Sequence, residues 1–328
     1  MRTSPRRARA AVGLAVVAAL SLSACAAGSA DADDAASDER LTIETELGEV
    51  TVPAEPTAAL GFYTTDLDML IALGYELADE QPIRDDYSAF PEFFPQDALA
   101  GITGFHNYPE FNYEKVLEVG PDFILNGLGY EDGLHERLSD IAPTYTYNAF
   151  SENADWRESF AQLAKDLGRT EQHQAWVDAY QARVDEVRAK LDAAGLDPVV
   201  ADLSYWNGEL SVGCYGVPCL VFADIGLEIS PLADGDGDGE VDQTGTKIPL
   251  ERLGDLSDID VVFSGASPGA DGLDGFIGDE PSLTGNSLWQ ALPAVQAGEL
   301  YGYDYEMLYG SPSGQLAFLD VVEQALIK

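Results

Sequence analysis

Thr170-Glu-Gln-His-Gln-Ala-Trp-Val-Asp-Ala-Tyr-Gln-Ala-Arg-Val-Asp-Glu-Val-Arg-Ala-Lys-Leu-Asp-Ala-Ala194 contains neither glycine nor proline, and Gly195 follows it. Trp176, Val177, Tyr180, Val184, Val187 and Leu191 recur at steps of three and four, which puts them on one face of a helix. Gly195 supplies the stop. At 1.5 Å per residue this helix spans roughly 37 Å, long enough to brace two compact lobes.

On both sides of it, short apolar runs alternate with helical patterns. Before it, Thr57-Ala-Ala-Leu60 leads through Gly61 to Asp66 into a helix ending at Gly74. Phe123-Ile-Leu-Asn126 leads through Gly127-Leu-Gly-Tyr130 to a helix over Leu134 to Ser139, and Pro143 opens Thr144-Tyr-Thr-Tyr147. Trp156, Phe160, Leu163 and Leu167 form one more helical face, closed by Gly168. Alternation around Leu47-Gly48 predicts a small leading hairpin. After Asp197-Pro198 the pattern resumes with Val199-Val-Ala-Asp-Leu-Ser-Tyr205. Alternating β and α segments predict an α/β fold with mainly parallel sheet. The expected plan is a lobe over 41–168, a linking helix over 169–195 and a second lobe over 196–328. A weak internal echo supports it. Asn112-Tyr-Glu114 leads via Pro121-Asp122 into Phe123-Ile-Leu, and Pro249-Leu-Glu251 leads via Ser257-Asp258 into Val261-Val-Phe263.

The chain opens with an address. Arg2, Arg6, Arg7 and Arg9 precede an apolar run from Ala10 to Leu22, too short to span a bilayer comfortably. The run ends in Leu22-Ser23-Ala24-Cys25, which resembles the lipobox of bacterial lipoproteins, so residues 1–24 are expected to be a signal peptide and Cys25 to be lipidated. Residues 25–40 lack the apolar area for a core and predict a flexible tether. Removing four arginines from the 17 basic residues leaves 13 against 58 acidic ones, a formal charge of −45. Such a surface repels nucleic acid and anionic lipid headgroups, and it serves solubility rather than specifying a ligand. Cys214 and Cys219 remain, and the export signal favours a disulfide across Tyr-Gly-Val-Pro.

Several segments together resemble the iron-siderophore and cobalamin class of periplasmic binding proteins. They are Asp66-Leu-Asp-Met-Leu-Ile-Ala-Leu-Gly74, the stretch from Glu114 through Pro121-Asp122-Phe-Ile, Leu138-Ser-Asp-Ile-Ala-Pro-Thr144, the long helix, and Trp289-Gln-Ala-Leu-Pro-Ala-Val-Gln-Ala-Gly-Glu-Leu-Tyr301. The resemblance implies two Rossmann-like lobes joined by one stiff helix, with the ligand between them and little closure. It implies a lipid-anchored protein on the outer face of the cytoplasmic membrane that passes a ferric siderophore to an ABC importer, without catalysis or a required cofactor. It further implies one glutamate per lobe, Glu114 and Glu251, that pairs with arginines of the permease. The plainer role for each is to complement the positive end of its own helix. The expected state is a monomer, with no nucleic-acid partner. Cobalamin and haem remain alternatives within the class. A lipid-anchored hydrolase and a structural calcium-binding surface protein are the alternatives outside it.

A ferric siderophore fills the metal's coordination shell itself, so its binder needs an aromatic cleft with hydrogen-bond donors. Loops at the carboxyl ends of strands are where open α/β sheets bind. The candidates there are Tyr63, Arg84, Phe105, His106, Tyr130, Tyr205, Trp206 and Tyr305, with Tyr63, Trp206 and Tyr305 foremost. For any one aromatic, packing under a loop is the competing role. Arg84 and Arg137 are the few cations in such loops, and that shortage favours a neutral or cationic ferric hydroxamate over an anionic catecholate. Asp234, Asp236, Asp238, Glu240 and Asp242 follow the first half of an EF-hand-type loop, but Gly245 stands at the twelfth position. A structural calcium site and a flexible acidic turn both fit. Gly265-Ala-Ser267-Pro268-Gly269 imitates a nucleophile elbow, yet Pro268 has no N–H to offer an oxyanion.

Overall fold

The structure, a computed structural model, describes residues 39–45, 47–149, 155–206, 208–235, 245–269 and 272–328. The signal segment, Cys25 and most of the tether lie outside the described residues, as do 236–244 of the acidic loop.

The N-terminal half runs β1 (Arg40–Thr45), β2 (Gly48–Pro53), β3 (Ala59–Gly61), α1 (Thr64–Ala72), β4 (Glu80–Arg84), β5 (Thr103–Tyr108), α2 (Tyr113–Val119), β6 (Phe123–Asn126), α3 (Leu134–Ser139), β7 (Thr144–Thr146) and α4 (Trp156–Asp166). The predicted long helix is α5 (Thr170–Ala194), capped by Gly195 in the left-handed conformation. The C-terminal half continues with β8 (Val199–Trp206), β9 (Glu209–Gly213), α6 (Gly216–Ile225), β10 (Glu228–Ile229), β11 (Thr246–Ile248), β12 (Val261–Gly269) and β13 (Gly272–Asp274). Three short helices follow, α7 (Pro281–Thr284), α8 (Ser287–Gln290) and α9 (Pro293–Ala297), then β14 (Leu300–Asp304) and α10 (Pro312–Leu326).

β1 and β2 make the expected hairpin. β3, β6 and β7 form a parallel sheet, and β4 pairs with β5 in parallel beside it. In the second half β8, β10, β12 and β14 are parallel, while β9, β11 and β13 add antiparallel edges. The internal echo has a structural counterpart. Asp122, just before β6, accepts from Thr57 N (2.8 Å) and Ala58 N (3.1 Å) at the entry to β3. Asp260, just before β12, accepts from Val199 N (2.9 Å) at the start of β8. In each half an aspartate thus fixes the register of two parallel strands at their amino ends.

No ladder joins β3 to β4 directly; the fully buried Gln81 side chain bridges them instead. Its amide donates to Ala59 O (2.8 Å) and Ala78 O (3.2 Å) and accepts from Gly61 N (3.0 Å). Gln81→Leu leaves Gly61 N without this partner, although Ala59 O keeps Ala78 N (2.9 Å), and is expected to cost about 2 kcal/mol, a fall of roughly 4–8 °C in Tm. A thermal melt within a degree of the wild type would show that the bridge is dispensable.

A shared core spans the two halves. One apolar cluster runs from Ile43, Leu70 and Phe123 through Trp156, Phe160, Tyr180 and Val187 to Phe222, Phe263 and Phe318. Separate clusters lie on the other faces of the two sheet regions. Helix α5 joins rather than spaces: Trp176 Nε1 donates to Pro312 O (3.0 Å), Tyr180 OH to Asp224 (2.7 Å), and Arg183 meets Asp320 and Glu323. Asp68 of α1 accepts from both Ser313 N (2.6 Å) and Ser313 Oγ (2.7 Å) at the start of α10. This contact ties the halves directly.

Candidate functional site

Side chains from both halves converge where the carboxyl ends of β3, β4 and β5 meet those of β12 and β14. Strand β3 reaches α1 by a tight turn. A Cβ at Gly61 would lie 2.3 Å from Leu67 N, so only glycine lets the helix start there. Asp66 closes that turn, accepting from Tyr63 N (2.9 Å), Gly127 N (3.0 Å) and Tyr147 OH (2.8 Å). Tyr63 is fixed inward by this arrangement.

At the centre is Arg84, at the end of β4. Its Nε and Nη2 donate to Asp86 (2.9 and 3.0 Å), Nη1 to Tyr63 OH (3.2 Å), and Nε lies 3.3 Å from Glu306. The guanidinium sits over Tyr87, Tyr108 and Tyr305, at 5.8, 5.7 and 5.8 Å from the ring centres. Burial opposes its charge, but Asp86, Tyr63 and Glu306 outweigh burial and raise its pKa. The far half supplies Asp304, Tyr305 and Glu306. Tyr87 OH donates to Asp304, and Ser267 Oγ donates to Asp86 (2.9 Å). Tyr309 stands edge-on to Tyr305 (5.2 Å) and to Tyr63 (6.1 Å). Glu306 is fully buried. Burial pushes its carboxyl up to about 7, although Arg84 pulls the other way. Its Oε2 has no hydrogen-bond partner among the described residues. The result is a tyrosine-lined surface around a cation already matched by carboxylates.

Next to it, Asp202, Ser204, Ser211, Tyr215, Tyr303 and Tyr305 line a cavity of about 210 Å³. Burial raises the Asp202 carboxyl to about 7, with the Tyr303 phenol opposing.

The eight sequence candidates divide. Tyr63, Arg84 and Tyr305 come together, but Tyr63, at 4 % exposure, supports the surface from beneath and does not line it. Tyr130 is 45 % exposed at the rim; burial, then Tyr108, Glu131 and Tyr215, raise its phenol to about 12. Phe105 is core, because strand alternation sends it inward and leaves His106 outside. His106 lines a shallow groove with Asp85, Glu110, Phe111 and Glu114. Tyr205 is a correction. It packs with Ala201 and Leu203 on the face of β8 away from Asp202, and its hydroxyl meets Ser282 (2.6 Å). Trp206 is 78 % exposed and alternates onto the face of Asp202 and Ser204.

Glu114 and Glu251 are both exposed in the first turn of a helix that precedes a strand, α2 before β6 and the 3₁₀ helix Leu250–Asp258 before β12. Cys214 and Cys219 are disulfide-bonded, their Cα atoms 5.4 Å apart, where α6 begins. Asp234 ends the turn after β10, while Asp236, Asp238, Glu240 and Asp242 lie outside the described residues. Among the described residues no group of acidic, His or Cys side chains is placed to hold a metal ion, and no helix is long and apolar enough to cross a membrane. Ser267 lies within β12, with no helix behind it. Sequence reasoning missed Tyr87, Asp202, Tyr215, Asp304 and Glu306. The pair Asp304 and Glu306 flanking Tyr305 at a strand end was the available signal.

Residues 63–307 match the family described as Periplasmic binding protein. Among curated proteins, "Probable siderophore-binding lipoprotein YfiY" of Bacillus subtilis is 22% identical over 323 residues, covering 95% of this chain and 96% of that protein. The "Iron-uptake system-binding protein" of the same organism is 24% identical over 260 residues, covering 77% of this chain and 75% of that protein. Among solved structures, a FhuD fold-family protein from Bacillus subtilis superposes with TM-score 0.66 at 22% identity, over 87% of this chain and 99% of that one. That protein is described as a component of a Fep/Fec-like ferrichrome ABC transporter. SirA of Staphylococcus aureus, complexed with staphyloferrin B, gives TM-score 0.63 at 16% identity, over 87% of this chain and 97% of that one.

Proposed function

The chain belongs to the periplasmic binding protein family, and from that premise we propose that it captures a ferric siderophore outside the cell and delivers it to an ABC importer. The printed descriptions of its relatives, a siderophore-binding lipoprotein and an iron-uptake binding protein, support this ligand class. The single observation that carries the choice of ligand is the state of Arg84. Its guanidinium is shared between Asp86 and Glu306, so the surface offers no unmatched positive charge from that residue to an anionic catecholate. Around it stand half-buried tyrosine rings from both halves, suited to stacking on a bulky complex that already encloses its metal. A neutral or cationic ferric hydroxamate fits best. In this reading the ligand brings its own iron, the protein needs no resident cofactor, and it turns over no substrate. The lobes are 41–168 and 196–328, joined over 169–195. Cys25 anchors the protein by lipid to the outer face of the cytoplasmic membrane. Glu114 and Glu251 face the permease, and the protein acts as a monomer.

The test is a titration of the soluble chain starting after residue 39, followed by tryptophan fluorescence. Ferric hydroxamates are expected to quench saturably and at least about tenfold more tightly than ferric tris-catecholates, the difference that one unmatched buried charge makes. Saturable quenching by cobalamin or haem alone would overturn the iron assignment.

A further inference from the structure

The cavity beside the tyrosine surface has a chemistry of its own. Asp202 sits in the middle of β8, between β9 and β12. Both of its carboxylate oxygens lie 3.1 Å from Tyr303 OH, and it forms no ion pair among the described residues. Asp202 is half-buried, and one phenol does not balance a carboxylate that faces a cavity, where a cation is its ordinary partner. Around it, Ser204, Ser211, Tyr215, Tyr303 and Tyr305 contribute hydroxyl oxygens and ring edges and faces. The absence of a side chain at Gly265 leaves the two rings their places. A Cβ there would lie 3.0 Å from Tyr305 Cδ2 and 3.2 Å from Tyr303 Cε2.

We propose that this cavity, built on Asp202 with Tyr215, Tyr303 and Tyr305, is a subsite for an alkylammonium arm of the bound ligand. This deepens the hydroxamate reading and rests on it. An ammonium carries three donors and no acceptor, which suits one carboxylate flanked by serine and tyrosine hydroxyls, and the tyrosine faces add cation–π attraction. The other cation classes fit worse. A divalent metal wants several oxygen ligands of matching charge, and one carboxylate is too few. A guanidinium wants a free two-oxygen edge, and here Tyr303 OH bridges both oxygens. Size agrees: 210 Å³ corresponds to about seven water-sized volumes, room for a short aliphatic amine. Tyr305 belongs both to this cavity and to the surface over Arg84, so one ligand can lay its iron core on the tyrosines and its arm toward Asp202.

The probes are an iron(III) complex of a linear trihydroxamate ending in a primary amine and the same complex with that amine acetylated. Both are titrated against the soluble chain starting after residue 39. The wild type is expected to bind the amine form about tenfold or more tightly than the acetylated form, as a charge-assisted contact implies. Asp202→Asn is expected to bring that ratio to about one. Should Asp202→Asn fail to fold, Gly265→Ala crowds Tyr303 and Tyr305 without touching the carboxylate and is expected to lose the same preference. Equal affinities in the wild type, or a ratio unchanged in a folded Asp202→Asn, overturn the subsite while leaving the hydroxamate reading intact. Binding of neither complex defeats the hydroxamate reading and the subsite with it.

Discussion

Cells carrying Glu114→Ala together with Glu251→Ala are expected to lose siderophore uptake to background, while the purified double variant binds its ligand as the wild type does. Both glutamates are exposed, and neither forms an ion pair among the described residues, so their charges are available to a partner. Neither is needed to cap its helix. Asn112 caps α2 by accepting from Lys115 N (3.0 Å), and Pro249 precedes the 3₁₀ helix that carries Glu251. Truncation therefore forfeits only a favourable interaction with the helix dipole, about 0.3–1 kcal/mol each, and the fold survives. At an interface the cost is larger. Leaving a permease arginine unpaired costs on the order of 2–5 kcal/mol per site, so two sites suffice to abolish productive docking. Single variants are expected to fall between. The measurements are uptake of iron-labelled ligand in cells and fluorescence titration of the soluble protein. Undiminished uptake, or a loss of ligand affinity that matches the loss of uptake, would remove Glu114 and Glu251 from the docking role.

The long helix was legible because its signal is local: one apolar stripe, no breaker inside and a glycine behind. The β/α alternation was legible for the same reason. The echo in the sequence pointed to Asp122 but paired it with Asp258, whereas Asp260 makes the matching contact, and the partners at Thr57 and Val199 were not visible. Site residues were harder because their meaning is set by contacts far along the chain. Tyr87 acquires its role from Asp304 and Tyr63 from Glu306, and no local pattern reports either pairing. Tyr205 is different. Period-two alternation from the buried Ala201 and Leu203 already places Tyr205 on their face and Trp206 opposite, so nearness to a strand end was the weaker guide. The core shared by the two halves was not legible, because helix faces read one at a time do not show that α1, α5 and α10 share a single cluster.

Lowering the pH from 8 to 5 is expected to raise the melting temperature, against the usual experience with proteins held by ion pairs. The reason lies with Asp66, which is fully buried at the start of α1. Burial pushes its carboxyl up to about 7, even though Gly127 N, Tyr147 OH and Tyr63 N all bond to it. Burial moves Glu306 and Asp202 the same way, each to about 7. An unfolded aspartate titrates near 3.9, so between about pH 4 and pH 7 the folded chain holds more protons than the unfolded one. Stability then falls as the pH rises. The benefit of the neutral form is complete below about 4 and is lost through about 7. For Asp66 alone, the two pH units from about 7 to 5 correspond to an upper bound of about 3 kcal/mol, on the order of 5–10 °C. His173 works against this trend, because burial lowers its pKa from 6.5 and the unfolded chain then takes up the proton more readily. The other opposing groups, Asp86, Glu186, Glu280, Glu299 and Glu323, are carboxylates with lowered pKa values and give up their contribution only below the ordinary carboxylate range. At pH 5 they remain charged, and self-repulsion from a net charge of −41 eases as well. Asp66→Asn isolates the largest contributor. Its amide oxygen can take the place of Oδ2 and keep Tyr63 N and Gly127 N, and its NH₂ can donate to a reoriented Tyr147 hydroxyl that turns toward Met69 Sδ, 3.2 Å away. This variant is expected to melt higher than the wild type at pH 8 and to show a shallower rise toward pH 5, read by circular dichroism melts at unit pH steps. A wild type whose melting temperature falls from pH 8 to 5, or a variant with an unchanged slope, would mean that Asp66 is held ionised in the fold.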